Sequence, residues 1–315
     1  MPANYRGHDI AIALPCFNEE GAIAKVIADF AKAIPEAKIY VFDNNSTDRT
    51  AAIAAKAGAA IIRVANRGKG NVVRRTFAEL EADIIVMADG DGTYEAPAVR
   101  KMVDRLIDER LDMVVGTRTT SEATEAYRFG HRAGNRLLTG TVSYIFGHGF
   151  TDMLSGYRVF SRRYAKSFPA LSRGFEIETE LTIHALELRA PFAEIPTAYS
   201  ARAEGTQSKL STWRDGARIL KSILRLYVRE RPRQLYMLIA IALVIVSLSL
   251  GIPIVFEFLE TGLVPRFPTA FISATLMLGA FLSGLCAIIL DSVVTGRSEA
   301  KRLAYLAIPG VGGKD

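Results

Sequence analysis

The chain has 315 residues, and 50% of them are apolar, which is high for a soluble protein and low for a carrier with many membrane helices. The net charge of +6 is mild, and no aromatic-rich or recognition-helix motif accompanies the basic residues, which argues against a nucleic-acid partner. The two cysteines, Cys16 and Cys286, lie far apart in sequence, which argues against a disulfide framework and fits a reducing compartment.

Strand and helix patterns alternate from the first residues onward. The opening stretch, MPANYRGHDIAIAL, lacks a basic segment followed by a long apolar run, so we predict no signal peptide. Asn18 and Ser46 are the expected N-caps of the first two helices, and Gly58 is expected to end the second. Strands are predicted at 8–15, 37–43, 59–65, 83–89 and 112–118, and helices at 19–34, 46–58, 69–82 and 96–110.

This alternation predicts an α/β fold, with a mostly parallel sheet and helices on both of its faces. In such open sheets, ligands bind beyond the carboxyl ends of the strands. Asp43, Asp89 and Arg118 all fall at predicted strand ends, so we expect them to share one site. The following stretch, 119–210, mixes strand, helix and loop patterns.

A basic segment precedes the apolar C-terminal region. The stretch 213–231, WRDGARILKSILRLYVRER, has basic residues at 214, 218, 221, 225 and 229, with Ile219, Ile223 and Leu226 between them. One basic face and one apolar face are typical of a helix that lies in the membrane interface and contacts anionic lipid headgroups.

Two uncharged apolar runs follow, at 235–256 and 270–290. Each has about the 20 residues needed to cross a hydrocarbon core of ~30 Å, so we predict two transmembrane helices. Basic residues flank the pair on both sides, which predicts a multi-pass inner-membrane protein with its large N-terminal domain in the cytoplasm. The predicted organisation is an N-terminal domain at 1–210, an interfacial helix at 211–233, the two membrane helices within 234–292 and a cytoplasmic tail at 293–315.

Two carboxylates, Asp89 and Asp91, follow the apolar run IIVMA and are separated only by Gly90. Like charges this close repel each other, and a bound cation would compensate them. Carboxylate oxygens suit Mg²⁺ or Mn²⁺. A solvated DGDG turn is the alternative, since Asp and Gly both favour turns.

Other strand-end loops carry groups that suit a nucleotide. Asp43 can accept hydrogen bonds from a base or a ribose, and Lys69 lies in the loop NRGKGN ahead of a helix, which suits phosphate. Arg118 ends another strand, and Arg158 and Lys209 add further positive charge. A dicarboxylate, several cationic groups and a base pocket together indicate a site for a nucleoside diphosphate.

Seven motifs follow one another along the chain, in the order ALPCFNEE, VFDNNSTDRT, MADGDGTYEAP, VGTR, DMLSGYRVFSRR, GFEIETEL and SKLSTWRDG. This series resembles the motif order of family 2 glycosyltransferases with the GT-A fold. The chain most resembles the branch that includes dolichol-phosphate mannose synthase and bacterial polyprenyl-phosphate glycosyltransferases. The resemblance covers roughly residues 8–232, and the two-helix C-terminal anchor also resembles the bacterial members.

The resemblance implies roles for individual residues. It makes Asp89 and Asp91 the acid pair that holds the metal on the donor diphosphate, and Arg118 the arginine that receives the acceptor phosphate. Glu178 and Glu180 fall in an acidic motif near the acceptor. On the donor side it implies Pro15, Asn18, Glu19, Asp43, Arg202, Ser208 and Lys209, and on the acceptor side Arg128, Arg132, Asn135, Ser155 and Arg158 beside Arg118.

The sequence departs from the family pattern at one place. Many relatives have Leu-Gln after the second Asp of the acid pair, and the Gln can contact the metal. Gly92 and Thr93 occupy those positions here, so the third protein ligand stays open, with Thr93 and Glu95 as candidates.

The resemblance implies an inverting, metal-dependent enzyme that moves a sugar from a UDP- or GDP-sugar to a polyprenyl phosphate at the membrane. Three alternatives are weighed against it. A processive polysaccharide synthase typically carries a QxxRW motif, which the sequence lacks. A transferase acting on a hydroxyl-bearing lipid would need a general base, for which Glu178 or Glu180 could serve. A non-catalytic nucleotide-binding scaffold would not need the acid pair. The sugar and the oligomeric state are not fixed, and a homo-oligomer stays open.

Overall fold

A computed structural model describes residues 4–119, 140, 150–172, 174, 176–200, 227–228 and 231–312. Its main unit holds a seven-stranded sheet in the order β3-β2-β1-β4-β6-β5-β7. The strands are β1 Ile10–Cys16, β2 Lys38–Asp43, β3 Ala60–Arg63, β4 Ile84–Met87, β5 Met113–Thr119, β6 Arg158–Ser161 and β7 Phe192–Ala198. The helices are α1 Ile23–Ala33, α2 Thr50–Lys56, α3 Lys69–Glu79, α4 Ala98–Asp108, α5 Arg162–Ser167, α6 Ile177–Leu188, α7 Pro232–Thr261 and α8 Phe267–Leu306.

The sheet is mostly parallel, as the alternation of elements predicts. Only β6 among these strands runs antiparallel, to β4 on one side and β5 on the other. We predicted no strand within 119–210, where strand, helix and loop patterns mix, and both β6 and β7 lie in that stretch. Because β6 runs antiparallel to its neighbours, it begins at the sheet edge where the parallel strands end. The residues just before β6 therefore lie at the edge that carries the predicted site.

The core lies on both faces of the sheet because strand side chains alternate. In β1, Ile10, Ile12 and Leu14 pack in one cluster with α1 and α4, whereas Ala11 and Ala13 pack in the other with α3, α5 and α6. Burying an aliphatic side chain contributes about 1.5–3 kcal/mol, so this two-sided burial fixes the strand register.

Two predicted helix starts are wrong. The first helix begins at Ile23 and not after Asn18, and the second begins at Thr50 and not after Ser46. Asn18 has a left-handed φ of 56° and accepts a hydrogen bond from Thr47 N–H at 2.8 Å, while Ser46 Oγ accepts one from Asn18 N–H at 3.0 Å. The two capping side chains therefore tie one loop to the other, and neither caps its own helix.

The second unit spans Ile223–Ala300 and contains most of α7 and α8. Both helices are long and apolar enough to cross a membrane. They contain the predicted spans 235–256 and 270–290 and extend beyond them. Within the pair, Ser247 Oγ donates to the Ser273 carbonyl at 2.8 Å, and Ser273 Oγ donates to the Ser247 carbonyl at 2.9 Å. This reciprocal pairing satisfies two polar groups within the apolar stretches of the two helices.

The end of α8 belongs to the first unit, which includes Lys301–Asp315. Tyr305 Oη donates to Asp112 Oδ2 at 2.5 Å. Asp112 is fully buried and also accepts from Ser161 Oγ at 2.6 Å and from Arg163 Nε at 2.6 Å. Lys301 pairs with Glu187 of α6 at 2.8 Å. The C-terminal segment is therefore part of the packing of the sheet domain.

This packing predicts that Tyr305→Phe destabilises the sheet domain. A hydrogen bond to a charged group contributes about 1.5–3 kcal/mol, so we expect the thermal midpoint of the full chain to fall by roughly 3–6 °C. Tyr5→Phe is the matched control, because Tyr5 Oη donates to Asp104, whose side chain is 34% exposed. We expect its shift to stay below about 2 °C. Differential scanning fluorimetry measures both thermal midpoints. Equal shifts in the two variants would contradict this account of the C-terminal segment.

Candidate active site

The predicted site residues of the first two strands meet at one sheet edge. β1 and β2 pair in parallel, with Cys16 opposite Asp43. Gly90 N–H, beyond the end of β4, donates to the Pro15 carbonyl at 3.3 Å. Asp43 is buried, and its Oδ1 accepts from Ser46 N–H at 3.2 Å. The ends of β1, β2 and β4 therefore lie side by side, as predicted.

The loops after β1 and β2 are joined by hydrogen bonds. Besides the Asn18–Thr47 contact, Glu19 N–H donates to Thr50 Oγ1 at 2.8 Å. Asn44 extends the arrangement to the loop before α3, since its Oδ1 accepts from Gly68 N–H at 2.7 Å. These contacts hold three loops as one rim around the strand ends.

Asp89 and Asp91 line one cavity of about 480 Å³ beyond β4. Asp91 is buried, and its Oδ1 accepts from Thr93 N–H at 3.2 Å and from Thr93 Oγ1 at 2.7 Å. These two contacts fix the orientation of the carboxylate. Gly92 has φ of 75°, a conformation that glycine adopts without strain, which explains why a larger residue is absent here.

Both candidate third ligands have hydrogen-bond partners, and Glu95 also lines the cavity. Thr93 is 1% exposed, and its hydroxyl donates to Asp91. Glu95 Oε2 accepts from Ala198 N–H at 3.0 Å, at the end of β7. Thr93 therefore orients the Asp91 carboxylate through its two hydrogen bonds. Glu95 connects the loop that carries the acid pair to the end of β7.

Lys69, the first residue of α3, reaches the acid pair. Its Nζ lies 2.6 Å from Asp89 Oδ1 and 2.7 Å from Glu178 Oε1, and its side chain is only 8% exposed. Burial alone would lower the pKa of Lys69, but the charges of Asp89 and Glu178 outweigh burial and raise it. The Lys69 side chain therefore stays protonated between the two carboxylates.

Glu178 and Glu180, both on the first turn of α6, have different surroundings. Burial raises the pKa of Glu178, and Lys69 opposes that rise. Glu180 accepts from the backbone N–H groups of Leu171 and Ser172 at 2.8 and 2.7 Å. Glu178 is therefore the acid that belongs to the site, and Glu180 supports the loop that precedes α6.

Gly156 packs directly against this cluster. A Cβ atom at position 156 would lie 2.8 Å from Lys69 Nζ, 3.0 Å from Asp89 Oδ2 and 3.3 Å from Tyr94 Oη. Gly156 N–H also donates to Tyr94 Oη at 2.9 Å. Burial, and then the charge of Asp89, raise the pKa of Tyr94, so its phenol stays protonated. The backbone of the SGYR motif at Gly156 therefore packs directly against the charged ends of Lys69 and Asp89.

Arg118 at the end of β5 forms a two-point ion pair with Asp152. Its Nε and Nη2 donate to the two Asp152 oxygens at 2.8 and 2.7 Å. The Arg118 guanidinium also lies over the Tyr199 ring, 5.7 Å from its centroid. Because Asp152 takes two of the five N–H groups, three are not used by that pair. Arg118 is 27% exposed in its side chain, so it can meet a ligand.

Ser155 and Arg158 were predicted to contact the acceptor phosphate, and the structure corrects this. Both are 0% exposed, so neither side chain reaches the cavity. Ser155 Oγ donates to the Gly116 carbonyl at 2.5 Å, and Arg158 donates to the carbonyls of Ser155 at 2.9 Å and Met153 at 2.6 Å. They shape the loop that carries Gly156 and Asp152.

Six further site predictions lie outside the described residues. They are Arg128, Arg132 and Asn135 on the acceptor side, and Arg202, Ser208 and Lys209 on the donor side. The greater part of the basic segment 213–231 also lies outside them.

Sequence reasoning missed Tyr94 and Asp152. Both stand inside quoted motifs, Tyr94 in MADGDGTYEAP and Asp152 in DMLSGYRVFSRR, but no pattern assigned them a role. Asp152 lies 34 residues from Arg118, so helical or strand periodicity could not have paired them. The only usable clue was an acidic residue in a motif otherwise rich in cations.

The oxygen donors of the acid loop fit a divalent cation. Asp89 and Asp91 present carboxylates to the same cavity, the donor type that Mg²⁺ and Mn²⁺ prefer. Within the described part of the chain, no group of three or more acidic, His or Cys side chains could hold a metal.

Comparison with known proteins shows the family of the chain. The model of the family described as glycosyl transferase family 2 matches residues 11–168. The chain is 31% identical to a dolichyl-phosphate hexose transferase of Haloferax volcanii, over 73% of this chain and 98% of that protein. It is 36% identical to glycosyltransferase AglJ of the same organism, over 69% of this chain and 71% of that protein.

Among solved structures, the fold is similar to that of glucosyl-3-phosphoglycerate synthase from Mycobacterium tuberculosis. The match has a TM-score of 0.55 and 23% identity, and covers 69% of this chain and 79% of that one. That structure was determined in complex with Mn²⁺ and uridine-diphosphate-glucose.

Proposed function

The chain belongs to glycosyl transferase family 2 and is a glycosyltransferase with the GT-A fold, and we propose that it transfers a sugar from a nucleotide-sugar to a polyprenyl phosphate at a membrane surface. The observation that carries the proposal is the buried ion pair of Lys69 with Asp89 beside Asp91. It places a cation and two carboxylates at the strand ends, where this fold binds its ligands.

The donor side is supported by the rim of strand-end loops. Asp43 would accept hydrogen bonds from the base or ribose, and the N-terminus of α3, with Lys69 as its first residue, suits phosphate. Pro15, Asn18 and Glu19 would border the donor as well, since hydrogen bonds join the loop that holds Asn18 and Glu19 to the loop after Asp43. The structural neighbour with Mn²⁺ and uridine-diphosphate-glucose supports a divalent metal and a nucleotide-sugar for this chain.

The acceptor side is supported by Arg118 and by the C-terminal helices. Arg118 places a positive charge at the end of β5, and Asp152 holds the plane of its guanidinium through two hydrogen bonds. The relative named a dolichyl-phosphate hexose transferase is covered over nearly its whole length. Two helices long enough to cross a membrane would keep the enzyme where a polyprenyl tail resides.

In the proposed reaction, an oxygen of the acceptor phosphate attacks the anomeric carbon. The bond from that carbon to the nucleoside diphosphate breaks, so the configuration at the anomeric carbon inverts. A phosphate monoester has a second pKa of about 6 and is largely ionised at neutral pH, so the attacking group needs no strong base. A divalent cation held by Asp89 and Asp91 would offset charge on the leaving diphosphate. Arg118 would hold the acceptor phosphate in line.

The surroundings of the two glutamates favour a phosphate acceptor over a hydroxyl acceptor. Glu178 is paired with Lys69, and Glu180 accepts two backbone hydrogen bonds. Both residues are buried, at 4% and 6% exposure, so neither presents a carboxylate to a bound lipid as the general base that a hydroxyl requires. We therefore consider a lipid hydroxyl the second candidate for the acceptor, after a lipid phosphate.

The membrane arrangement is also a proposal. Basic residues stand before α7 at 229 and 231 and in its first turn at 233, and at the end of α8 at 297, 301 and 302. By the positive-inside rule, α7 and α8 span the inner membrane, and the catalytic domain lies in the cytoplasm. The basic stretch 213–231 would lie along the lipid headgroups.

Arg118→Ala tests the acceptor assignment. We expect the KM for undecaprenyl phosphate to rise roughly 10- to 100-fold, because a charge-assisted contact of about 1.5–3 kcal/mol is lost, while the KM for the donor changes little. Arg75→Ala, which removes an exposed arginine paired with Glu79 on α3, should leave both constants unchanged. Initial rates at varied acceptor concentration measure this. A rise confined to the donor KM would place Arg118 on the other substrate.

The same assay separates the two lipid classes. With undecaprenol in place of undecaprenyl phosphate, the wild-type enzyme should form no product. Efficient transfer to the alcohol would move the assignment to a hydroxyl acceptor.

A further inference from the structure

Lys69 contacts one of the two carboxylates that would hold a metal. Its Nζ lies 2.6 Å from Asp89 Oδ1, a direct ion pair that uses one oxygen of the acid pair. An ammonium at this distance and a divalent cation would compete for the same carboxylate.

The lysine is confined on its other sides. Glu178 Oε1 lies 2.7 Å from Nζ, and Gly156 packs so closely that any Cβ there would come within 2.8 Å of the ammonium. The Lys69 side chain is 8% exposed and that of Glu178 is 5% exposed. Lys69 therefore has one buried partner, Glu178, that lies away from the cavity, and a second, Asp89, that lines it.

If the Lys69 ammonium moved away from Asp89, the aspartate would lose the positive charge that pairs with it. A second cation would then have to bind Asp89 in its place. Asp89 and Asp91 would be the carboxylate ligands of such a cation, and among the described residues no group of three or more acidic, His or Cys side chains could hold it. Solvent and the donor diphosphate would supply further oxygen ligands. The diphosphate also offers oxygens on which the displaced ammonium can settle.

We propose that Lys69 is an exchangeable internal cation, which neutralises Asp89 in the free enzyme and moves onto the donor diphosphate when the metal–nucleotide complex enters. Glu178 stays its partner in both positions and acts as a positioning residue. The inference rests on the proposed function, because it takes the donor to be a nucleoside diphosphate sugar. It follows that the free enzyme binds the metal weakly and that metal and donor bind together.

The test measures Mn²⁺ alone binding to the full chain without nucleotide, by electron paramagnetic resonance of free Mn²⁺. Lys69→Met should lower the Kd for Mn²⁺ about tenfold or more relative to wild type, because the competing charge is gone. Lys25→Met is the matched control, since Lys25 lines the same cavity but pairs with Asp29 and not with the acid pair. An unchanged or higher Kd in Lys69→Met overturns the proposal.

A double-mutant cycle separates direct competition from a general change in field. If Lys69 acts by occupying Asp89, the tightening caused by Lys69→Met disappears in an Asp89→Asn background. A tightening of the same size in that background would contradict the exchange. Lys69→Gln, which is neutral but can still hydrogen-bond to both carboxylates, serves if the Met variant fails to fold, with the same expected direction.

The readout does not depend on sugar transfer. If wild-type enzyme fails to transfer sugar from any donor while the Mn²⁺ pattern holds, the proposed acceptor or reaction is wrong and the competition stands. If transfer occurs and the Mn²⁺ pattern fails, only the cation exchange is wrong.

Discussion

Asp91→Asn is expected to reduce sugar transfer about a thousandfold or more. Asn keeps the shape of the side chain and can still accept the hydrogen bonds from Thr93, so the loop should keep its structure. What is lost is the negative charge that would hold a divalent cation against the leaving diphosphate, an effect of about 4 kcal/mol on the barrier. The measurement is kcat for label transfer at saturating donor and acceptor.

Asp29→Asn is the control for this prediction. Asp29 lines the same cavity, but it lies on α1 and pairs with the exposed Lys25 at 2.6 Å. Its rate should stay within about twofold of wild type. A comparable loss in both variants would mean that the charge of the cavity, and not the position of Asp91, supports catalysis.

Gly156→Ala is expected to reduce kcat roughly a hundredfold while the domain still folds. The new methyl group would come within 2.8 Å of Lys69 Nζ and 3.0 Å of Asp89 Oδ2, and both charged ends must move away. Displacing a catalytic group by even about 1 Å can reduce the rate about a hundredfold. Because these are the ends of side chains and not backbone, the strain should appear in activity more than in stability.

Gly21→Ala is the matched glycine variant. Gly21 lines the cavity beside the acid pair, yet a Cβ there meets nothing within 4 Å. Its activity should equal that of wild type. If Gly156→Ala retains full kcat with an unchanged thermal midpoint, the close packing of Lys69 and Asp89 on the SGYR loop has no catalytic role.

The strand ends could be predicted because they depend on short-range patterns. Apolar runs such as IIVM have few polar residues, and the acidic residues that follow them mark where burial stops. The capping predictions at Asn18 and Ser46 failed for a long-range reason. Their side chains bond to each other's loop, 28 or 29 residues apart, and local preference had no access to that contact.

The site was predicted as a set of residue types but not as a network. The sequence indicated the acid pair and Lys69, yet nothing in it brings Lys69 to Glu178, which lies on a distant helix. Arg158 shows the opposite error, since a basic residue in a motif suggested a ligand, whereas its guanidinium lies in the core and donates to carbonyls. Whether an arginine faces a cavity or supports a loop depends on tertiary packing.

The apolar C-terminal helices were the easiest prediction and the least complete. Their uncharged runs identified them, but not the extension of α8 to Leu306 or the contact of Tyr305 with Asp112. Asp112 looked like an ordinary acid at the start of a strand. Its full burial becomes understandable only once three polar partners are known to surround it, Ser161 and Arg163 from one segment and Tyr305 from the C-terminal helix.

The central claim is tested most directly by one transfer assay. The purified full chain would be given undecaprenyl phosphate, Mn²⁺ or Mg²⁺, and a panel of labelled UDP- and GDP-sugars. We expect one donor to transfer its label, only with metal present, into an organic-extractable lipid that mild acid releases. Failure of every donor, with nucleotide binding intact, would contradict the assignment of a polyprenyl-phosphate acceptor.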